Sequence, residues 1–248
     1  MMGAALNLGT PGDEYLQVFN REYDVCTAEA ACKWHQIRPT ESQFKLDNCV
    51  NHLKYAYEHG MKFRGHNLVW GVYNPSWLAN WKGSAADLEQ VLKKHITYVV
   101  QNVPKQAGEA GKALFAWDVV NEAIADWPSK DLFKPNVWYN HIPDYVEKAF
   151  RFASTAARLA DLDIELFYND YNMLYDAKTD KVVTMVKDMQ MKKIQIDGIG
   201  IQAHVGVDDG ANSRENVAKQ IKKFGDLGLK VHITELDVKV ANDSDYEL

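Results

Sequence analysis

Apolar and polar positions alternate in blocks along the whole chain. Strand-like runs cover 3–8, 22–27, 62–70, 113–120, 163–169, 196–203 and 229–236. Their length and continuity suit strands buried on both faces. Between them lie amphipathic stretches, most clearly 46–59, 84–102, 142–161, 178–193 and 213–226, which predict helices. Helix starts are marked at Ser84, with Asp87 three residues on, and at Asp144 and Asp180. Strand alternating with helix predicts parallel strands joined by crossover helices, the α/β class. The expected architecture is a (β/α)8 TIM barrel with seven of its eight strands recognisable. No short repeat and no low-complexity linker divides the chain, so residues 1–248 read as a single domain. The chain stops at Tyr246-Glu247-Leu248, soon after the seventh run. Either one strand escapes this pattern or, the favoured expectation, the polypeptide is incomplete.

Composition narrows the class without choosing a function. The 248 residues are 46% hydrophobic and 25% charged, which suits a globular protein with a large core. A net charge of -6 with scattered lysines gives no basic stripe, which argues against a nucleic-acid partner. No run is long and apolar enough to cross a membrane, and no charged-then-apolar leader opens the chain. Cys26, Cys32 and Cys49 lack C-x-x-C spacing and fit one disulfide plus a free thiol as well as three buried thiols. One sequon, Asn242-Asp243-Ser244, lies near the end.

Two of the strand-like runs end in glutamate. Trp117-Asp118-Val119-Val120-Asn121-Glu122 and Val231-His232-Ile233-Thr234-Glu235-Leu236-Asp237 would each deliver a carboxylate to the C-terminal end of a strand. Cleavage of a glycosidic bond needs such a pair, one to protonate the leaving oxygen and one to act as nucleophile or activate water. A lone glutamate at a strand end is more often a surface or salt-bridged residue. Asn121 places an amide beside Glu122 that could hold a sugar hydroxyl. Leu236 is expected to point inward, and Asp237 to share a strand face with Glu235. Asp237 could then orient His204, whose plain alternative is a satisfied core histidine.

Phe63-Arg64-Gly65-His66-Asn67-Leu68-Val69-Trp70, followed by Tyr73 and Trp77, offers rings and polar groups suited to a sugar, or simply barrel packing. Tyr168-Asn169-Asp170-Tyr171-Asn172 carries the same ambiguity. No G-x-S-x-G elbow, phosphate-binding loop or H-E-x-x-H helix is present, and Asp197-Gly198-Ile199-Gly200 lacks the third glycine of a dinucleotide fingerprint. The main rival chemistry is a metal held by some of His66, His204, Glu122, Glu235 and Asp237.

Together these segments resemble glycoside hydrolase family 10, the endo-1,4-beta-xylanases, from Gly3-Ala4-Ala5 to Leu236-Asp237. The similar motifs, in the family's order, are Gly65-His66-Asn67-Leu68-Val69-Trp70, Trp117 to Ala123, Tyr168-Asn169-Asp170-Tyr171-Asn172, Gly198-Ile199-Gly200-Ile201-Gln202-Ala203-His204 and Ile233-Thr234-Glu235-Leu236-Asp237. The resemblance implies an endo-acting, retaining double displacement on xylan, with Glu122 as acid/base and Glu235 as nucleophile. Retention implies carboxyl groups about 5–5.5 Å apart. It also implies support of the nucleophile by His204 and Asp237, and a contact from Asn121 to the sugar 2-hydroxyl. Glu29, Lys33, His66, Trp70 and Gln202 would bind the glycone side, and Tyr171 would line the aglycone side.

The resemblance implies no metal or cofactor, and a monomer if the barrel is complete. The polymeric substrate implies a secreted, extracellular enzyme. Three departures stand out. Ala30 replaces the family's asparagine, Gly71 and Tyr73 replace its histidine and glutamine, and the family's first helix and last strand and helix have no counterpart. The isolated chain is accordingly expected to show weak or no activity. The alternative reading is a catalytically impaired barrel that binds carbohydrate without cutting it.

Overall fold

The computed structural model describes residues 1–9 and 12–240, which fall into two compact units. The first comprises Met1–Asn121 with Pro135–Leu166, and the second Glu122–Lys134 with the chain from Phe167 onward. The sequon at Asn242 lies outside the described residues.

In the first unit β1 (Gly3–Leu6), α1 (Asp13–Glu22), β2 (Val25–Ala28), α2 (Trp34–Ile37), α3 (Asp47–Glu58), β3 (Lys62–Trp70), α4 (Ser76–Ala79), α5 (Ala85–Ala107), β4 (Leu114–Asn121), α6 (Val137–His141) and α7 (Tyr145–Leu159) follow in order. The four strands pair in parallel as β1-β2-β3-β4, with Gly3 opposite Val25, Val25 opposite Lys62 and His66 opposite Asp118. Phe63–Val69 of β3 and Ala116–Asn121 of β4 are buried throughout, and the polar residues among them, Arg64, His66, Asn67, Asp118 and Asn121, are buried with the rest. Trp117 packs its indole against the bare Cα of Gly65, where any Cβ would run into the ring. Trp34, Trp117 and Trp138 are the largest fully buried side chains.

The Ser84 cap forms as its sequence signals, with the hydroxyl accepting from the Asp87 amide (3.1 Å). The α5 helix runs five residues past the expected 102, through Pro104, and stops at Gly108 with φ 64°. The α1 helix was not among the clear helical stretches because its apolar stripe is short, with only Phe19 fully buried. Asp144 precedes α7 but makes no side-chain cap. Cys32 and Cys49 form a disulfide (Cα–Cα 4.9 Å) that ties the loop after β2 to α3, while Cys26 is a free buried thiol.

The second unit contains β5 (Glu165–Asp170) from Phe167 onward, α8 (Asp176–Met191), β6 (Gly198–Ile201), β7 (His204–Gly206), α9 (Arg214–Gly225), β8 (Lys230–Ile233) and β9 (Asp237–Lys239). Strands β5, β6 and β8 pair in parallel, Phe167 opposite Gly198 and Gly200 opposite His232. A hairpin-like excursion, 122–134, closes on itself through Ala125 N–H to Leu132 O (2.9 Å) and Lys134 N–H to Ala123 O (2.8 Å).

Three expectations are corrected here. Helix α8 begins at Asp176, so Asp180 lies a turn inside it. The runs 196–203 and 229–236 are each broken, because Ala203 adopts φ 63° and the chain leaves extended geometry from Thr234 to Leu236. Both resume as β7 and β9, a small parallel pair. Leu236 sits in that break and is 65% exposed rather than turned inward.

All seven strand-like runs thus appear as parallel strands, four in the first unit and three in the second. No helix among the described residues is long and apolar enough to cross a membrane.

Candidate active site

The two glutamates lie in the second unit, each just past a strand end. Glu122 follows the last residue of β4, the buried Asn121, and its backbone turns to φ 56°. An L-residue adopts that left-handed conformation only when its surroundings hold it there. Its N–H donates to the Asn169 carbonyl on β5 (2.9 Å), and its Oε1 accepts from Gln202 Nε2 (3.0 Å). Gln202 is buried directly after β6, next to the left-handed Ala203.

Glu235 sits in the break between β8 and β9, its N–H bonded to the Gln202 carbonyl (3.0 Å). Its Oε1 accepts from Asn169 Nδ2 (2.7 Å), and Asn169 Oδ1 accepts from Thr234 Oγ1 (2.6 Å), which fixes the amide's orientation. Its Oε2 faces His204 Nε2 at 3.4 Å, while His204 Nδ1 lies 2.6 Å from Asp237 Oδ2. The β7–β9 register sets His204 directly opposite Asp237. A ring flanked by two carboxylates can donate to both when it carries both protons. Glu122, Gln202, Glu235, His204 and Asp237, all expected from sequence, are therefore brought together. The connecting Asn169 and Thr234 were not assigned roles by sequence reasoning.

Behind Glu122 lies a buried network. The Tyr168 hydroxyl donates to Asp170 Oδ2 and accepts both the Ala123 and Ile124 amides (3.0 Å each). Lys178 Nζ reaches Ile124 O (2.7 Å), Asp126 Oδ1 (3.0 Å) and Asp170 Oδ1 (3.1 Å). Burial pushes the Asp170 carboxyl up to about 6, against the opposing pull of Lys178 and the Tyr168 hydroxyl. Tyr171, expected at the aglycone side, donates to Asp126 Oδ2 (2.6 Å) and accepts from Lys134 Nζ (2.8 Å). Its hydroxyl is raised well above the ordinary tyrosine value, by burial first and then by its bond to Asp126.

The remaining predicted binding residues belong to the first unit. Trp70 stacks on Tyr73 (centroids 5.0 Å), and Lys33 Nζ lies 5.1 Å and 5.4 Å from the two ring centres. Tyr73, one of the departures from the family pattern, thus completes a cation-capped aromatic pair. His66 Nδ1 lies 2.9 Å from Asp118 Oδ2, and Arg64 contacts both Asp118 oxygens (2.5 and 3.2 Å). Burial alone would raise Asp118, but Arg64 and His66 outweigh it and hold the carboxyl below its ordinary value. Sequence reasoning missed Asp118; its signal was an acid inside the apolar run of β4, in register with His66. Glu29 is exposed, with its N–H on the Leu6 carbonyl (3.0 Å), and Ala30 accepts from the Lys33 amide (2.9 Å). Among the described residues no three His, Cys, Asp or Glu side chains converge to hold a metal ion.

Parallel strands joined by helices, with carboxylates just past the strand ends, define the class of α/β proteins whose active sites lie at the C-terminal ends of the strands. The family model described as Glycosyl hydrolase family 10 matches residues 1–248, and the chain belongs to that family, whose fold is the (β/α)8 barrel. It is 39% identical over 244 residues to Endo-beta-1,4-xylanase Xyn10C of Cellvibrio japonicus, covering 96% of this chain and 38% of that protein. It is 34% identical over 227 residues to Endo-1,4-beta-xylanase B of Thermotoga neapolitana, covering 91% of this chain and 61% of that protein. Among solved structures, TsXylA, an intracellular xylanase of Thermoanaerobacterium saccharolyticum seen with xylotriose, superposes with a TM-score of 0.88. That match has 31% identity and covers 98% of this chain and 74% of that one. The chain thus spans less than two thirds of the length of either of these two curated relatives.

Proposed function

We propose that this chain is the catalytic part of an endo-acting, retaining hydrolase of the β-1,4-xylosidic bonds of xylan. The observation that carries this reading is the supported carboxylate pair of the second unit. Glu235, with one oxygen on the Asn169 amide and the other toward the His204–Asp237 pair, is oriented to attack the anomeric carbon. Glu122, on the Gln202 amide, protonates the departing sugar oxygen and then deprotonates the water that releases the glycosyl intermediate. Asn121 contacts the 2-hydroxyl. Glu29, Lys33, His66, Trp70 and Gln202 bind the glycone, and Tyr171 meets the aglycone.

The substrate class follows from relatives named as xylanases and from the xylotriose held by one of them. A polymeric substrate argues for action outside the cell, and a complete barrel for a monomer. No residue role in this scheme calls on a metal.

The test is sugar release from xylan by the chain, beside Glu122→Ala, Glu235→Ala and EDTA-treated samples, with the anomer of the first product followed by NMR. Loss in both variants, no effect of EDTA and a β-configured first product are expected. An α-configured first product, or activity surviving in Glu235→Ala, would overturn the scheme.

A further inference from the structure

The turn that presents Glu122 is held by more than the bonds Glu122 makes itself to Asn169 and Gln202. Its left-handed backbone is followed by two amides, Ala123 and Ile124, that converge on one oxygen, the Tyr168 hydroxyl. A hydroxyl that accepts twice must place its own proton elsewhere, and the buried Asp170 Oδ2 receives it. Asp170 is in turn anchored by Lys178, whose ammonium also holds the Ile124 carbonyl, so both polar backbone groups of Ile124 end in the same network. Lys178 and Asp170 are 3% and 0% exposed, so none of these groups has solvent as a substitute partner. The hairpin beyond is fixed by Lys181, which donates to the carbonyls of Ala125, Ser129 and Asp131 (3.0, 2.7 and 2.8 Å).

We infer that Tyr168 and Asp170 are positioning residues for the general acid, holding the strained Glu122 turn so that its carboxyl meets the leaving-group oxygen. This rests on the assignment of Glu122 as acid/base. Neither residue reaches the substrate; both act through the backbone of 123–124. Without the hydroxyl, the two amides lose their shared acceptor, and the left-handed turn relaxes toward an ordinary conformation. A carboxyl displaced by about 1 Å costs roughly a hundredfold in the step that depends on it.

The discriminating experiment varies how much the leaving group needs a proton. Tyr168→Phe is assayed on xylotetraose and on a dinitrophenyl xylobioside, whose leaving group departs without protonation, with kcat/KM reporting the bond-breaking step. The expected result is a loss of about 10- to 100-fold on xylotetraose and less than about threefold on the aryl substrate. An equal loss on both substrates, or no loss on either, would overturn the proposal, since a merely structural defect does not distinguish leaving groups. Glu122→Ala is run alongside: if it too fails to separate the substrates, the acid/base assignment is what has failed. If Tyr168→Phe does not fold, Asp170→Asn must give the same separation.

Discussion

Asp170 makes the most quantitative prediction, and it concerns stability rather than catalysis. The carboxyl is fully buried, and burial is the largest influence on it, outweighing Lys178, the Tyr168 hydroxyl and Lys134 to leave it at about 6 against an ordinary 3.8. A folded-state value above the unfolded one means that the folded protein holds the proton more tightly. The stability this provides is full below the ordinary value and is lost as pH rises through about 6. Roughly two pH units at about 1.4 kcal/mol each set the whole effect near 3 kcal/mol.

Asp170→Asn abolishes this titration, so the informative quantity is the stability of the native chain minus that of the variant. Urea unfolding at a series of pH values should show the difference falling by about 2.5 kcal/mol between about pH 4 and about pH 7.5, whatever the variant's baseline. A difference flat to within about 0.5 kcal/mol would refute the argument. A rising difference would mean that Lys178 prevails over burial and the carboxyl is depressed.

Two further outcomes test the packing. Gly65→Ala forces a methyl into the Trp117 indole, and should cost about 1–3 kcal/mol, read as a lower Tm by calorimetry; an unchanged Tm would show that the ring has room to move. Lys178→Met strands the buried Asp170 and should cost about 3–5 kcal/mol in urea unfolding. Lys222→Ala, which breaks an exposed pair with Asp226, should cost under about 1 kcal/mol, and equal losses in the two would contradict the burial argument.

The alternating plan was legible because parallel strands buried on both faces need unbroken apolar runs, and crossover helices need one apolar stripe. Those requirements act on many residues at once, so β4 and the long helices announced themselves. The strand-end carboxylates were legible for a related reason. Glu122, Glu235, His204 and Asp237 are polar groups placed abruptly after apolar runs, and folding alone gives no cause for them there. Asp118 was readable in principle by the same logic, since a charge inside β4 demands the partners it has in Arg64 and His66.

What stayed hidden depends on single backbone torsions and on contacts far apart in sequence. Neither Glu122 nor Ala203 is a residue type that signals a left-handed turn, yet both adopt one. The turn at Ala203 ends β6 early and starts β7 with His204, and the break at 234–236 does the same for β9 with Asp237. Had the two runs continued as plain strands, alternation would have put Glu235 and Asp237 on one face with Leu236 on the other. Instead the breaks expose Leu236 and bring His204 into register with Asp237, which leaves Nε2 free to face Glu235. The irregular backbone at both glutamates is thus what converts two carboxylates into two differently supported ones. Glu122 rests on an amide and a clamped turn, and Glu235 on an amide and an oriented imidazole. That difference in surroundings is what two carboxylates need in order to take different roles in one reaction.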